Sequence, residues 1–265
     1  LERLVFGIKS PMYRTGFDRN LWLWEQYSPE TTYLMTADVA RGDGADFSVF
    51  HIIKLETMEI IGEYRGKPNL EEFATILDTT GREFGNCLMV VENNSLGISI
   101  LEKLQDREYP NLYFSIKGTH EYVDQIQAES FNNSIAGFTT SSKTRPLIVA
   151  KMEEFIRNKL ITIYSSRLVD EFKTFIWNNN KAQAMRSYHD DLVMALAIAC
   201  WVRDTALTTN QRDVEYKRAM VTSMMLESKT FQTQNPGQRQ MTQGLTNAQK
   251  ETKKQYEDFV WLLKG

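Results

Sequence analysis

Residues 33–64 read YLMTADVARGDGADFSVFHIIKLETMEIIGEY, and this stretch decides the fold. Tyr33 to Val39 is short, apolar and rich in strand formers. Phe47 to Leu55 and Met58 to Tyr64 repeat that character across the turn Glu56-Thr57, so they read as an antiparallel hairpin. Downstream the pattern changes period. Asn69 with Glu72 three residues on makes a capping box for a helix over Leu70 to Phe84. Cys87 to Glu92 is a short apolar run, the mark of a buried central strand. A helix from about Ile98 to Asp106, a strand from Leu112 to Ile116 and a helix from Pro146 to Asn158 follow, the last with Pro near its first turn. Leu160 to Tyr164 predicts a short strand and Leu168 to Trp177 a partly helical segment. His189 to Arg203 is apolar nearly all round, which predicts a helix buried on most sides.

Three antiparallel strands followed by helix-connected parallel ones make an α/β protein with a mixed sheet of five or more strands flanked by helices. This is the RNase H-like order. The flanks read differently. Residues 1–30 are aromatic and irregular and predict an arm or linker. The segment 206–265 holds eight of the 13 glutamines with clustered Thr and Asn, and predicts a mobile connection. It ends in an amphipathic pattern, Tyr256, Phe259, Val260 and Leu263, suited to packing on its own domain or docking on a partner. The domain between them spans 31–205.

The chain has 265 residues and a net charge of −3, and segment 31–205 carries 18 basic against 24 acidic residues. That balance argues against a simple electrostatic DNA clamp. It suits a site that gathers carboxylates around cations. No apolar run approaches the roughly 20 residues of a membrane span, and no signal peptide is visible. Cys87 and Cys200 read as buried free thiols of a reducing compartment. There is no Walker A loop, no G-x-S-x-G elbow and no H-E-x-x-H motif.

Three carboxylates sit at element ends: Asp38 after the first strand, Glu92 after the apolar strand, and Asp191, beside Asp190, opening the buried helix. Singly each has an ordinary explanation, as turn former, strand-end charge or helix cap. Together they crowd one sheet edge, which is costly unless a cation relieves it. Hard oxygen ligands favour Mg²⁺ or Mn²⁺ over zinc, and two such ions can drive phosphodiester hydrolysis. Of the histidines, His51 reads as structural, His120 as ambiguous, and His189 as a residue able to orient Asp191 or touch a phosphate. Basic residues in predicted loops, Arg65, Lys67, Lys117, Lys143, Arg145, Lys181 and Arg186, are candidate phosphate contacts. Ser141-Ser142-Lys143-Thr144-Arg145 is the best cluster among them.

Three strings carry a resemblance to a known family: Ala37-Asp38-Val39-Ala40-Arg41-Gly42 with Asp46 and Ser48, Val91-Glu92-Asn93-Asn94, and His189-Asp190-Asp191-Leu192-Val193-Met194-Ala195. Segment 31–205 resembles the nuclease domain of the large terminase subunit, the DNA-packaging motor of tailed bacteriophages, and of the myovirus type in particular. The resemblance implies an RNase H-like fold and a Mg²⁺-dependent endonuclease that cuts concatemeric double-stranded viral DNA, with Mn²⁺ as substitute and two ions bound. It maps the acidic triad onto Asp38, Glu92 and Asp191, with Asp46 as a secondary acid, Asp190 as the neighbour that sequence leaves open, and His189 in support. One ion would be shared by Asp38 and Asp191 and a second by Asp38 and Glu92. Family members carry an N-terminal packaging ATPase whose phosphate loop is absent here, so the chain reads as an isolated nuclease domain, expected in the host bacterial cytoplasm and transiently at the prohead portal. The implied partners are double-stranded DNA, that ATPase domain, the portal vertex and the small terminase subunit, with no membrane. Two other readings stay open: a DNA-gripping, portal-docking module in which cutting is secondary, and a junction-resolving nuclease of the same fold.

Overall fold

The computed structural model describes residues 2–16, 19–42, 44, 46–116, 122–123, 128, 133–178, 181–204 and 206. Lys117, His120 and the amphipathic segment around Tyr256 to Leu263 lie outside them. In chain order the elements are α1 (Glu2–Phe6), β1 (Tyr13–Thr15), β2 (Leu21–Leu23), β3 (Tyr33–Asp38), β4 (Ser48–Lys54), β5 (Glu59–Gly66), α2 (Leu70–Glu83), β6 (Leu88–Val91), α3 (Leu96–Asp106), β7 (Phe114–Ile116), β8 (Tyr122–Val123), β9 (Ser134–Ala136), α4 (Thr144–Arg157), α5 (Ser166–Thr174), β10 (Phe175–Asn178), β11 (Lys181–Ala184) and α6 (191–204).

The main sheet has six strands in the order β1-β2-β5-β4-β3-β6. β3, β4 and β5 pair antiparallel, as the hairpin pattern predicts, and β6 lies parallel to β3. Beyond β6 the chain at Leu112 and Phe138 continues the hydrogen bonding through single bridges to Met89 and Glu92. β7, β8 and β9 form a small separate sheet, and β10 and β11 a hairpin. Residues from the 1–30 segment join the main sheet: β2 pairs with β5, and Trp24 is buried with its indole N–H on the Lys9 carbonyl. The Leu160 to Tyr164 run makes only a bridge, Thr162 to Glu59 at the start of β5, with the Ile60 N–H on the Thr162 carbonyl and the Thr162 N–H on the Met58 carbonyl.

Strand alternation sends side chains to two faces. Leu34, Val49, Ile60 and Val90 pack against α4, α5 and α6 through Ile148, Leu168 and Leu196. Met35, Phe50, Ile61 and Val91 pack against α2 and α3 through Phe73, Leu77, Ile100 and Leu104. The β4–β5 pairing shifts register between Ile52 and Ile53, where Ile61 of β5 is passed over. Each fully buried Leu or Ile contributes about 1.5–3 kcal/mol, so this three-layer burial outweighs the surface ion pairs, worth about 0–1 kcal/mol each. α2 opens on the predicted capping box, with both Asn69–Glu72 bonds formed. Cys87 and Cys200 are free and buried. Among the described residues no helix is long and apolar enough to cross a membrane.

Candidate metal-dependent site

The C-terminal ends of β3 and β6 are neighbours because the strands run parallel: the Glu92 N–H donates to the Ala37 carbonyl at 2.9 Å. Asp38 and Glu92 therefore leave the sheet side by side. Their carboxyl groups are close enough that Glu92 acts directly on Asp38. Burial, Glu92 and then Asp191 push the Asp38 carboxyl well above its ordinary range, against the pull of the Val39 N–H. Ser48 holds the chain just past Asp38, accepting from the Ala40 N–H at 3.1 Å and donating to its carbonyl at 3.2 Å. Glu92 is steered by Asn94, whose side-chain amide donates to Glu92 Oε1 at 2.8 Å and to the Thr140 carbonyl at 2.9 Å.

Glycine makes this corner possible. A Cβ on Gly97 would stand 1.7 Å from the Glu92 carbonyl oxygen, so only glycine lets α3 start against Glu92. Gly137, at φ +81, would place a Cβ 2.5 Å from the Val91 carbonyl.

Asp191 arrives from the other side of the sheet, on the first residue of α6. Its Oδ2 accepts the Phe47 N–H at 3.1 Å. Burial raises it to about 6, with Asp46 and Asp190 adding to the rise and the Phe47 N–H and His189 opposing it. His189 Nδ1 lies 3.7 Å from Asp191 Oδ2 and 3.7 Å from Asp46 Oδ1. Asp46, His189 and Asp191 are close enough to share one cation. Asp38, Asp46 and Asp191 line a cleft of about 450 Å³ with Arg41 and Phe47. Glu92 lines a second cleft of about 490 Å³ with Asn94, Ser142, Arg145 and Lys181.

The sequence candidates thus separate into groups. Asp46, His189 and Asp191 cluster within reach of one cation, Asp38 lines the same cleft as Asp46 and Asp191, and Glu92 stands beside Asp38 and faces the neighbouring cleft. Asp190 is turned to Arg145, with which it forms a short ion pair, while Arg145 Nε donates to the Ala182 carbonyl at 2.9 Å. Arg65 points inward, with its guanidinium 4.1 Å over the Phe47 ring. Lys67 lies over the same ring and donates to the Gly44 carbonyl at 2.9 Å. Lys143, Lys181 and Arg186 are exposed. His51 is fully buried, with Nε2 2.9 Å from the Leu192 carbonyl and a pKa lowered by burial. Sequence reading missed Asn94 and Glu171. Asn94 stood in a quoted string as the neighbour of an acid, whereas Glu171 sits 20 positions before Asp191 with no local signal at all.

The donor set suits a hard divalent cation: the neighbouring ligands are carboxylate oxygens, and the charges acting on Asp38 are those of Glu92 and Asp191, both negative.

A mixed sheet with helices on both faces and acids at the ends of its central strands is the RNase H-like class. No family model matches the sequence. Solved structures do. The magnesium-bound large terminase nuclease from thermophilic phage G20c superposes with a TM-score of 0.56 at 20% identity, over 74% of this chain and 93% of that one. The cobalt-bound form gives 0.55 at 19%, over 74% and 95%. The nuclease domain of the Thermus phage P74-26 large terminase gives 0.54 at 20%, over 74% and 90%. The chain therefore has the RNase H-like fold of terminase nuclease domains.

Proposed function

We propose that the chain is a metal-dependent endonuclease that cuts double-stranded DNA during viral genome packaging, with Asp38, Glu92 and Asp191 as the metal-holding acids. The observation that carries this reading is that Glu92 and Asp191 both act on the buried Asp38 carboxyl and raise its pKa, while Asp38 and Asp191 line the same cleft. The shared fold with phage terminase nucleases, one of them crystallised with magnesium, supports it.

In this reading Asp38 is the shared ligand, facing Asp191 on one side and Glu92 on the other. A pair of Mg²⁺ ions, or Mn²⁺ in their place, would supply charge neutralisation at the phosphodiester and ease deprotonation of the attacking water. The chain does the positioning. Asn94 aims Glu92, the Phe47 N–H aims Asp191, and His189 Nδ1 sits between Asp46 and Asp191, where it can hold a proton or meet a phosphate oxygen. Asp190, neutralised by Arg145, stands outside the metal-holding set. Lys143, Lys181 and Arg186, exposed beside the second cleft or on the segment following it, are the proposed phosphate contacts, with Lys67 on the side of the first cleft. They offset the acidic charge of the domain locally. The N-terminal packaging ATPase, the portal vertex and the small terminase subunit are the proposed partners, and the infected host's cytoplasm the proposed setting.

The test is nicking of supercoiled plasmid in Mg²⁺, Mn²⁺ and EDTA, with Asp38→Asn alongside. Metal-dependent cutting lost in the variant is the expected result; a fully active Asp38→Asn protein sinks the mechanism. Running a four-way junction beside linear duplex separates the packaging reading, which predicts no preference for branches, from a junction-resolving one.

A further inference from the structure

A helix leaves its first N–H groups without intrahelical acceptors, and an N-cap side chain usually accepts one or two of them. α6 departs from this. Asp190 holds the cap position, since its carbonyl accepts the Met194 N–H at 2.8 Å. Its carboxylate is not the cap, because Arg145 takes it. The acceptor comes from another helix: Glu171 Oε2, on α5, receives the Leu192 N–H at 2.9 Å and the Val193 N–H at 3.3 Å.

Glu171 is only 5% exposed, and burying a carboxyl costs stability unless it is specifically held. Its other oxygen stands 3.9 Å from Arg65 Nε, and neither of those atoms has a hydrogen-bond partner among the described residues. Arg65 in turn stacks on Phe47, and the Phe47 N–H holds Asp191 Oδ2. The contacts close a ring through four elements: Glu171 to the backbone after Asp191, Asp191 to Phe47, Phe47 to Arg65, and Arg65 back to Glu171. His51 adds a tie from the sheet, at the Leu192 carbonyl.

We propose that Glu171, backed by Arg65, is a positioning residue for the nuclease centre: a helix cap supplied in trans that fixes where the Asp191 carboxylate stands. The arrangement assigns the two neighbouring acids different tasks. Arg145 draws Asp190 off the helix end, Glu171 replaces it there, and Asp191 stays aimed at the cleft. A cap of purely structural value would change stability and leave the metal affinity of the folded protein alone. A positioning cap changes that affinity.

The inference rests on the reading of Asp191 as a metal ligand, and the experiment separates the two. Mn²⁺ binding to the full chain is followed by loss of the free-ion paramagnetic resonance signal, with plasmid nicking measured across the same Mn²⁺ range. Glu171→Met keeps the volume and removes the acceptor. It is expected to raise half-saturating Mn²⁺ about tenfold or more, the range for residues that orient metal ligands, with nicking largely recovered at saturating Mn²⁺. Glu171→Gln keeps an amide oxygen for the two N–H groups and is expected to stay close to wild type. Wild-type Mn²⁺ binding by Glu171→Met, with Asp191→Asn inactive, overturns the positioning role and leaves the site reading intact. Asp191→Asn binding and cutting like wild type overturns both. If Glu171→Met does not fold, Arg65→Met carries the test: weakened Mn²⁺ binding supports the ring, unchanged binding overturns it.

Discussion

The two halves of the site are held by different means. Asp38 and Glu92 are placed by main chain: they end adjacent parallel strands whose register is set by backbone bonds such as Glu92 N–H to Ala37 O. Asp191 is placed largely by side chains and loops, through Phe47, Glu171 and, one residue before, Arg145 on Asp190. The backbone of this pair moves only with the sheet edge, and one side-chain tie, from Asn94, orients the Glu92 carboxylate. A side-chain-placed carboxylate can be shifted by a single substitution at a distance. The half set by the sheet supplies the fixed point, and the half set by the helix supplies the adjustment.

The largest effect should come from the fixed half. Asp38→Asn is expected to lower plasmid cleavage by about a thousandfold or more, since several kcal/mol of charge stabilisation go with the ligand. The same change should raise the melting temperature of the metal-free protein, by about 2–4 °C for each kcal/mol of repulsion relieved. Loss of stability in metal-free Asp38→Asn would contradict the view that the three acids repel one another.

Gly97→Ala tests whether backbone placement governs Glu92. The added Cβ collides with the Glu92 carbonyl, so urea denaturation should show a loss of about 1–3 kcal/mol, and cleavage by the folded protein should fall as well. Full activity in the variant would show that the α3 approach does not position Glu92.

The pH dependence probes the adjustable half. Asp191 is raised to about 6 in the folded protein against about 3.9 unfolded. Its contribution to stability is present at low pH and is lost as pH rises through about 6. A divalent ion competes with that proton, so the gain in melting temperature on adding Mn²⁺ should be small at pH 5 and larger at pH 7.5. A gain that shrinks as pH rises would contradict the assignment. The smallest effect is expected from Asp190→Asn, with cleavage staying within a few-fold of wild type, because the Asp190 carboxylate faces Arg145 and asparagine keeps an oxygen acceptor for it. A loss as deep as that of Asp191→Asn would reverse the roles of the two neighbours.

The same division explains what could be read from the sequence. The hairpin over residues 48–66, the capping box of α2 and the apolar β6 are local patterns, and each formed where periodicity and propensity put it. Asp38, Glu92 and Asp191 stood out because they end such elements. The strands β1 and β2 escaped notice because three-residue strands leave no alternation to count. The run Leu168 to Trp177 is helical in its first part, as expected, but its end lies in β10, and β11, beyond the run, was not read from sequence. Glu171 could not be singled out, since its role depends on α5 meeting the start of α6, a tertiary contact with no sequence period. Arg65 reads as a loop cation in sequence, yet β5 extends to Gly66 and turns it inward.

The most direct test of the central claim is an anomalous difference map from crystals of the chain soaked in Mn²⁺. The account predicts density between Asp38 and Asp191, with a further peak between Asp38 and Glu92 when both ions bind. Manganese found only away from Asp38, in crystals that leave this cleft open, would contradict it.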